Sequence, residues 1–367
     1  MLQTRVVMLA DFDYFFAQCE ELRNPALRGK PVVVGVYSGR TEDSGAVSTA
    51  NYVAREYNVK SGIPLYLAKR RLAGTEAVFL PVDGEFYEEI SNKIMGMIRG
   101  YADSFEQTSI DEAYLDVSSK VNGSFDEARA LAEKMKREVK AAVGITFSVG
   151  VGPNKLVAKI AADSQKPDGL TVVKPEEVKG FLSPLPVDRL LGVGRKTSVK
   201  LGELGVKTVG ELASYDVQRL VAVFGKKLGV YFHDAANGVD NEPVEETGAA
   251  ESISRISTLK ENTRDLSVVL EKTDQLIEDI HKDLVQRDVN FKQVSVIAIL
   301  TDLSVRSRSK TLETSTRDEE AIRQAVRELF EKFLAEAELE IRRVGVKISQ
   351  FSKEEREQKK LTSFFGS

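Results

Sequence analysis

The chain has 367 residues, 42% of them hydrophobic and 29% charged, with a formal net charge of −4 at pH 7. That composition is globular, and the length exceeds what one core supports, so roughly two to four domains are expected. A single cysteine, Cys19, excludes an internal disulfide and a cysteine-rich zinc site, and His233 and His281, the only histidines, stand alone. No apolar run reaches membrane-spanning length, and the first apolar stretch already carries acids, which argues against a signal peptide. The expectation is a cytoplasmic protein with no membrane partner.

In chain order, Arg5-Val6-Val7-Met8-Leu9-Ala10 reads as a buried strand that runs straight into Asp11-Phe12-Asp13. Asp11 and Asp13 alternate onto one face, so spacing alone does not choose between them. Val32-Val33-Val34-Gly35-Val36 reads as a strand. In Gly45 to Arg55, helical spacing sets Thr49, Tyr52 and Arg55 on one face, a hydroxyl, a phenol and a guanidinium suited to phosphate. Helical periodicity returns over 85–100. Ser109-Ile110-Asp111-Glu112-Ala113-Tyr114-Leu115-Asp116 then places adjacent carboxylates in a strand-like run. Side by side on a strand they face opposite ways, so both reach one site only at a bend, which Thr108-Ser109 could supply. Buried charge needs a partner, and clustered carboxylates suit a divalent metal such as Mg²⁺. Two buried strands delivering acids to one point is the arrangement that two-metal phosphoryl transfer requires.

A helix is expected over 125–142 and a strand over 144–151, leading to Gly150-Val151-Gly152-Pro153-Asn154-Lys155. Here a helix begins near Asn154, with Lys155 and Lys159 on one face and able to neutralise phosphates. This is not a Walker loop, whose spacing is absent. Helices dominate 172–235. Within them Gly192-Val193-Gly194-Arg195-Lys196, followed by Leu204-Gly205-Val206, resembles a helix-hairpin-helix, whose glycines let backbone N–H groups approach a phosphate. Residues 236–250, polar and acidic with Gly and Pro, read as a linker.

A strand-rich α/β domain follows to about 350. Its strand-like stretches 252–260, 303–312 and 341–349 hold Arg255, Lys260, Arg306, Arg308, Lys310, Arg342, Arg343 and Lys347 and no acid. The acids lie in the helical stretches 271–288 and 318–340. A sheet with a basic face, backed by acidic helices, is therefore expected to meet a phosphate backbone despite the negative total.

Asp11-Phe12-Asp13-Tyr14-Phe15-Phe16, Ala46 to Arg55, Ser109 to Asp116 and Asn154-Lys155 to Asp163, in this order, resemble the Y-family DNA polymerases, nearest to archaeal DinB-like translesion enzymes. The resemblance runs from residue 4 to about 350. It implies an α+β right-hand fold: palm 1–15 and 78–168, fingers 16–77, helical thumb 169–235, linker 236–250, α/β little finger 251–350 and a tail 351–367. It further implies that Asp11, Asp111, Glu112 and the Phe12 carbonyl hold two Mg²⁺ ions. It assigns Tyr14, Phe15, Thr49, Tyr52, Arg55 and Lys159 to an incoming dNTP, and Phe16 to a steric gate against a ribose 2′-OH. Ala46 and Ser48 become the roof over the nascent base pair. Gly192, Gly194, Arg195, Lys196, Arg255, Arg306, Arg308, Arg342 and Arg343 become contacts to primer–template DNA. The implied activity is low-fidelity, template-directed DNA synthesis by a monomer without proofreading.

In the tail, Gln358, Leu361, Phe364 and Phe365 have the spacing of a peptide that binds a PCNA-type sliding clamp, with three apolar prongs on one short turn. A nucleotide cyclase has palm-like acids too, but no use for the helix-hairpin-helix. A non-catalytic adaptor would be expected to lose one of Asp11, Asp111 and Glu112, and all are present.

Overall fold

The computed structural model describes residues 4–246, 248 and 250–352. The tail residues Gln358, Leu361, Phe364 and Phe365 lie outside this range. The chain forms two compact units: residues to 35, 47–63 and 70–247 in one, and 36–46, 64–69 and 248 onward in the other. The expected 16–77 fingers segment is thus shared between them.

The first unit is built on five strands, in the spatial order Ser104–Gln107, Glu112–Asp116, Val7–Phe12, Phe147–Gly152, Leu170–Val172. All neighbours are antiparallel except the last pair. Val7–Phe12 is buried along its whole length because both faces are covered. Met8, Ala10 and Phe12 join a core with Ile94 and Ile98 of the Gly84–Arg99 helix and Met135 and Val139 of the Phe125–Val143 helix. Val7 and Leu9 meet Ala158 and Ala162 of the Lys155–Ser164 helix on the other face. An uninterrupted apolar run, usual for parallel strands, here arises in an antiparallel sheet for the same reason of two-sided burial.

The Lys155–Ser164 helix lies hard against Phe147–Gly152. A Cβ on Gly150 would stand 2.0 Å from the Ala158 carbonyl oxygen and 2.3 Å from the Ala162 nitrogen, so only glycine permits this approach. Asn154 caps that helix through a 2.9 Å bond from the Val157 N–H, as the Gly-Pro-Asn run predicts.

The stretch 45–55 is not one helix. Gly45–Ala50 is a strand beside Val32–Tyr37, and only Tyr52–Glu56 is helical. Thr49 therefore sits on the strand and not on a helical face with Tyr52 and Arg55. Asn51 imposes the break: its buried side-chain oxygen accepts from the N–H groups of Ala54 and Val32, both at 3.0 Å.

After Gly192, whose φ of +80° makes the turn, Gly194 opens the Arg195–Glu203 helix with no side-chain cap. Thr208 caps Val209–Ala213 with a capping box, and Val217–Ala236 follows, kinked at Gly225. The expected linker is firmly held over its first part. Gly238 and Asp240 bond to Asn154 and to the Leu156 N–H, and Val244 is buried against Val7, Leu9 and Tyr114. Of the two valines in the linker, Val244 is the buried anchor and Val239 stays exposed.

In the second unit four antiparallel strands are ordered Val305–Thr316, Phe291–Leu300, Ile341–Ser349, Ser252–Thr263. The helices Leu266–Arg287 and Glu319–Glu336 cover one face through Ile277, Ile280, Val326 and Phe330. Arg40 belongs to this unit and donates to the Leu259 carbonyl and to Asn262 Oδ1, each at 2.7 Å.

Cys19 is fully buried on the Phe15–Arg23 helix, and burial, with Glu20 adding to it, pushes its thiol from 9.0 up to about 12. A pKa raised by folding stabilises fully below the unfolded value and is lost as pH rises toward the folded one. The wild-type protein should therefore lose stability between pH 9 and about 12 more steeply than Cys19→Ala. Urea melts of both at stepped pH check this; parallel slopes would refute it.

Candidate active site

Acids from two neighbouring strands meet at one end of the five-stranded sheet. Asp11 is directly opposite Glu112 on one side and Ser148 on the other. Asp111 precedes its strand in the tight turn after Ser104–Gln107, where the Thr108 N–H donates to the Glu112 carbonyl at 3.1 Å. The turn supplies the bend that adjacent carboxylates need. Asp111 itself accepts from Ser109 Oγ at 2.6 Å, and its carbonyl accepts from the Phe12 N–H at 2.8 Å.

Two ammonium groups fill the space beside the acids. Lys159 Nζ donates to Asp11 Oδ2 at 2.8 Å and also to Glu112 Oε2, while Lys166 Nζ lies 2.7 Å from Asp11 Oδ2 and 2.8 Å from Asp163 Oδ1. Burial works to raise the Asp11 pKa, but Lys159 and Lys166 outweigh it and hold it below the ordinary carboxylate value. Burial opposes the charge on Lys159, yet Asp11 and Glu112 lift its pKa above the ordinary lysine value. Lys166 is raised in the same way by Asp11 and Asp163. Sequence reasoning missed Lys166; its signals are the turn run Lys166-Pro167-Asp168-Gly169 and the three-residue spacing from Asp163.

The choice between Asp11 and Asp13 is made by what each touches. Asp13 is 1% exposed and accepts from Ser148 Oγ and from the Asp168 N–H, both at 2.8 Å. Burial raises its pKa in spite of these donors. Lys136 bonds Asp168 from outside at 2.7 Å, so Asp13 fastens the turn that carries Lys166. Lys155 is absent from the cluster: it bonds both oxygens of Glu106, at 2.7 and 2.8 Å, beneath the Tyr114 ring.

Oxygen ligands for a metal are partly assembled. Asp11 and Glu112 converge on one cationic position, held by the Lys159 ammonium, and their oxygens are the hard donors that Mg²⁺ takes. Among the described residues no three acids close on a common point, because Asp111 is turned to Ser109. Asp11 and Glu112 thus offer carboxylate oxygens of the type that a divalent cation takes, with Asp111 close by in the turn.

Next to the acids the chain turns abruptly. Tyr14 takes a left-handed conformation, φ 37° and ψ 44°, at the start of Phe15–Arg23, and no side chain caps that helix. Its first N–H groups therefore suit an anionic group. The Tyr14 and Tyr52 rings meet edge to face, 5.4 Å between centroids; the Arg55 guanidinium carbon lies 4.6 Å from the Tyr52 ring centre, and Arg55 Nε donates to the Ala50 carbonyl at 2.9 Å. The phenol and guanidinium are held together as expected, with Thr49 one strand residue before Ala50. Phe16 stacks on the buried Tyr87 at 4.5 Å with 15° between planes, and Tyr87 Oη donates to buried Glu20 at 2.7 Å.

The expected basic sheet face needs correction. Arg255, Val346, Val296 and Arg308 are cross-strand partners in one row, and both valines are buried toward the helices. Arg255 and Arg308 thus lie on the helix side, as do Arg306 and Lys310 two positions either way. Arg255 pairs with Asp283, Arg308 with Glu336 and Lys310 with Glu328. Alternation on a strand sends every second side chain to the covered face, and the acidic helices answer those charges. The open face carries Arg343 and Lys347 among Ser254, Thr258, Ser295, Ser307 and Ser309, with Gly345 at its centre, while Arg342 sits at a bulge. In the thumb, Arg195 and Lys196 are exposed just after Gly194.

Comparison with known proteins agrees with this architecture. Residues 10–163 match the impB/mucB/samB family, 250–361 its C-terminal domain, and 188–240 the thumb domain of DNA polymerase iota. A DNA polymerase IV of Nitrosopumilus maritimus is 42% identical across 99% of this chain and 100% of its own. One of Methanosarcina acetivorans is 42% identical across 96% and 97%. Among solved structures, a Y-family polymerase chimera, Dbh-Dpo4(243-245)-Dbh, superposes with a TM-score of 0.89 at 39% identity, covering 95% of this chain and 99% of its own. An insertion ternary complex of Dbh DNA polymerase gives 0.69 at 39% identity, covering 94% and 98%. The chain belongs to the impB/mucB/samB family, the Y-family of translesion DNA polymerases. It is a DNA-directed DNA polymerase, a nucleotidyltransferase.

Asp13→Ala should leave Ser148 Oγ and the Asp168 N–H without their acceptor and destabilise the fold by about 2–4 kcal/mol. Chemical denaturation measures it. A change below about 0.5 kcal/mol would mean that Asp13 does not fasten the turn.

Proposed function

We propose that this site adds deoxynucleoside monophosphates to a primer 3′-OH under template direction, without proofreading, and works on damaged template. The observation that carries the proposal is the convergence of Asp11 and Glu112 on one cationic position at the sheet end. Asp11, Asp111, Glu112 and the Phe12 carbonyl are the residues to hold two Mg²⁺ ions. Such ions, when bound, acidify the primer hydroxyl and neutralise the leaving pyrophosphate.

The chain's own groups do the rest. The N–H groups after Tyr14, at an uncapped helix start, receive triphosphate oxygens, with Phe15 in that first turn. Thr49, Tyr52 and Arg55 hold the same chain of phosphates from the other side. Arg55 is preorganised by Tyr52 and the Ala50 carbonyl, so little order is lost on binding. As the 3′-oxygen forms its bond to the α-phosphorus and the bond to pyrophosphate breaks in line, negative charge grows where Lys159 and Arg55 keep fixed positive charge. The Phe16 ring, fixed by its stack on Tyr87, stands as the gate against a 2′-OH. Ala46 and Ser48, small and on one face of their strand, leave headroom over the templating base.

DNA contacts are assigned to the thumb turn Gly192, Gly194, Arg195 and Lys196 and to the open sheet face with Arg343, Lys347 and neighbouring Arg342. Arg255, Arg306 and Arg308 face the helix side and are not retained as contacts. The tail residues Gln358, Leu361, Phe364 and Phe365 are proposed to tether the monomeric enzyme to a PCNA-type clamp, raising its effective concentration at the primer end. The proposed compartment is the cytoplasm; among the described residues no helix is long and apolar enough to cross a membrane.

Primer extension with dNTPs and Mg²⁺ tests the site. Glu112→Gln should lower the rate by a factor on the order of 10³ while leaving DNA binding intact, because it removes a charged ligand and no core packing. A near-normal rate would sink the assignment. Sugar selection is a separate readout: Phe16→Ala should raise ribonucleotide incorporation relative to dNTP by about 10²-fold. An unchanged ratio would make Phe16 an ordinary packing aromatic.

A further inference from the structure

Just past Arg55 the chain gathers cations that no step described so far uses. Lys60 and Arg71 line, together with Arg55, Asn58 and Ser61, an open pocket of about 640 Å³. All five residues belong to the first unit. Three are cations, two are neutral hydrogen-bonding groups, and no acid takes part. Nearby lysines are answered by carboxylates, Lys30 by Glu76 and Lys69 by Asp43, but among the described residues no carboxylate pairs with Arg55, Lys60 or Arg71. The backbone builds this arrangement. After the Tyr52–Glu56 helix, Asn58 is left-handed at φ 60°, and the Val59 N–H returns to the Ala54 carbonyl at 3.3 Å. Val59 is fully buried, and Asn58 and Lys60 on either side of it are exposed. Gly62 and Ile63 then bond to the Val47 backbone, both at 2.9 Å, which ties the Ser61 end to the strand that carries Thr49. Arg71, at the end of the Leu65–Arg71 helix, reaches back through Nη1 to the Asn58 carbonyl at 2.6 Å. That bond takes one N–H of five and fixes the guanidinium at the pocket.

We propose that this pocket is a second polyphosphate site, which takes pyrophosphate as it leaves the acids, with Arg55 shared between the two positions. The inference rests on the triphosphate role given to Arg55 above. Three like charges around one pocket repel one another, and an anion among them relieves the repulsion. Guanidinium forks and an ammonium match phosphate oxygens, and Asn58 and Ser61 add neutral donors. Arg55 and Arg71 are both anchored before an anion arrives, by the Ala50 and Asn58 carbonyls. The lining also chooses among polyphosphates. A nucleotide needs an apolar or aromatic surface for its base, and no such residue lines this pocket. Pyrophosphate needs only cations and donors. All five lining residues are exposed, so water and salt screen the attraction, and the anion is held weakly enough to escape. The transfer makes and breaks no covalent bond. It clears the position that the next triphosphate must occupy.

The test is ³¹P NMR of pyrophosphate with the full-length protein in EDTA, without DNA. With divalent metal stripped, Asp11 and Glu112 face the anion with no bridging cation, and the pocket is read by itself. The parent should broaden the pyrophosphate line, with an affinity that falls as salt is raised. Lys60→Gln combined with Arg71→Gln should weaken binding about tenfold. Lys155→Gln, which removes an equal charge engaged with Glu106, should leave it unchanged. Lys60→Glu repeats the measurement without touching the Arg71 bond to Asn58, and circular dichroism confirms the fold of each variant. Titration with dATP should give no tighter binding than pyrophosphate, and in primer extension the double variant should keep the parent's KM for dNTP. Equal pyrophosphate affinity for the parent, the double variant and Lys60→Glu would overturn the site. Tighter binding of dATP would overturn the product assignment in favour of an entry point for nucleotide. A loss confined to primer–template with a long 5′ overhang, with pyrophosphate bound as in the parent, would overturn it in favour of the template strand. A KM for dNTP raised as much as the pyrophosphate Kd would make the pocket part of the triphosphate position and overturn a second site. Arg55→Gln with an unchanged KM for dNTP would overturn the triphosphate reading of Arg55 and with it the hand-over, while the Lys60 and Arg71 titration still decides whether the pocket takes pyrophosphate.

Discussion

Asp11 is 8% exposed and ionised, and the folded chain must answer that charge. Two lysines do so, one from the helix packed on the sheet and one from the turn that follows it. Much of the first unit can be read as what brings these groups together. Gly150 and the flanking Gly152 have no side chain because the Lys155–Ser164 helix must come close enough for Lys159 to reach Asp11 and Glu112. Asp13 is buried because the turn bearing Lys166 needs an anchor for its N–H. Gln18, also buried, binds the Thr146 backbone on both sides and fixes the start of the neighbouring strand.

The same electrostatic logic governs the second unit with a different result. Its net effect is to cancel basic charge on the covered side, through ion pairs to the helices. Arg255, Arg308 and Lys310 are matched by Asp283, Glu336 and Glu328, while the open face carries Arg343 and Lys347 among serines, threonines, Gly345 and the apolar Ile256, Ile297, Ile299 and Val305. Exposed pairs of this kind add little stability, so their main consequence is on the field. Contacts from such a face to a phosphate backbone position the nucleic acid and give no reading of base sequence. That suits a polymerase that must accept any template.

The proposed nucleotide side of the site depends on aromatic packing. Phe16 is stacked on Tyr87, Tyr87 is bonded to Glu20, and Tyr14 meets Tyr52, which in turn supports Arg55. Rings in contact on several sides cannot easily yield to a larger sugar, and cations held over rings arrive already oriented. The proposed sugar gate and the proposed triphosphate contacts thus both rest on ring contacts, Phe16 on Tyr87 and Tyr52 with Tyr14 and Arg55.

The sequence alone determined the strands at 7–12 and 112–116, the Asn154-capped helix, the helical thumb and the pairing of acids from two segments, because each rests on local pattern: an apolar run, a cap, a glycine turn, adjacent carboxylates. Spacing left Asp11 and Asp13 equivalent, since a period of two puts both on one face, and only the family resemblance singled out Asp11. It joined Thr49 to a helix, since spacing cannot register that Asn51 bonds across to Val32. It took the basic strands for a basic face, since charge content says nothing about which side of a sheet each residue occupies. Only the tertiary structure decided these points. Each depends on a partner far away in the chain: Asp168 for Asp13, Val32 for Asn51, Asp283 and Glu336 for the arginines, and Asp11 for Lys166.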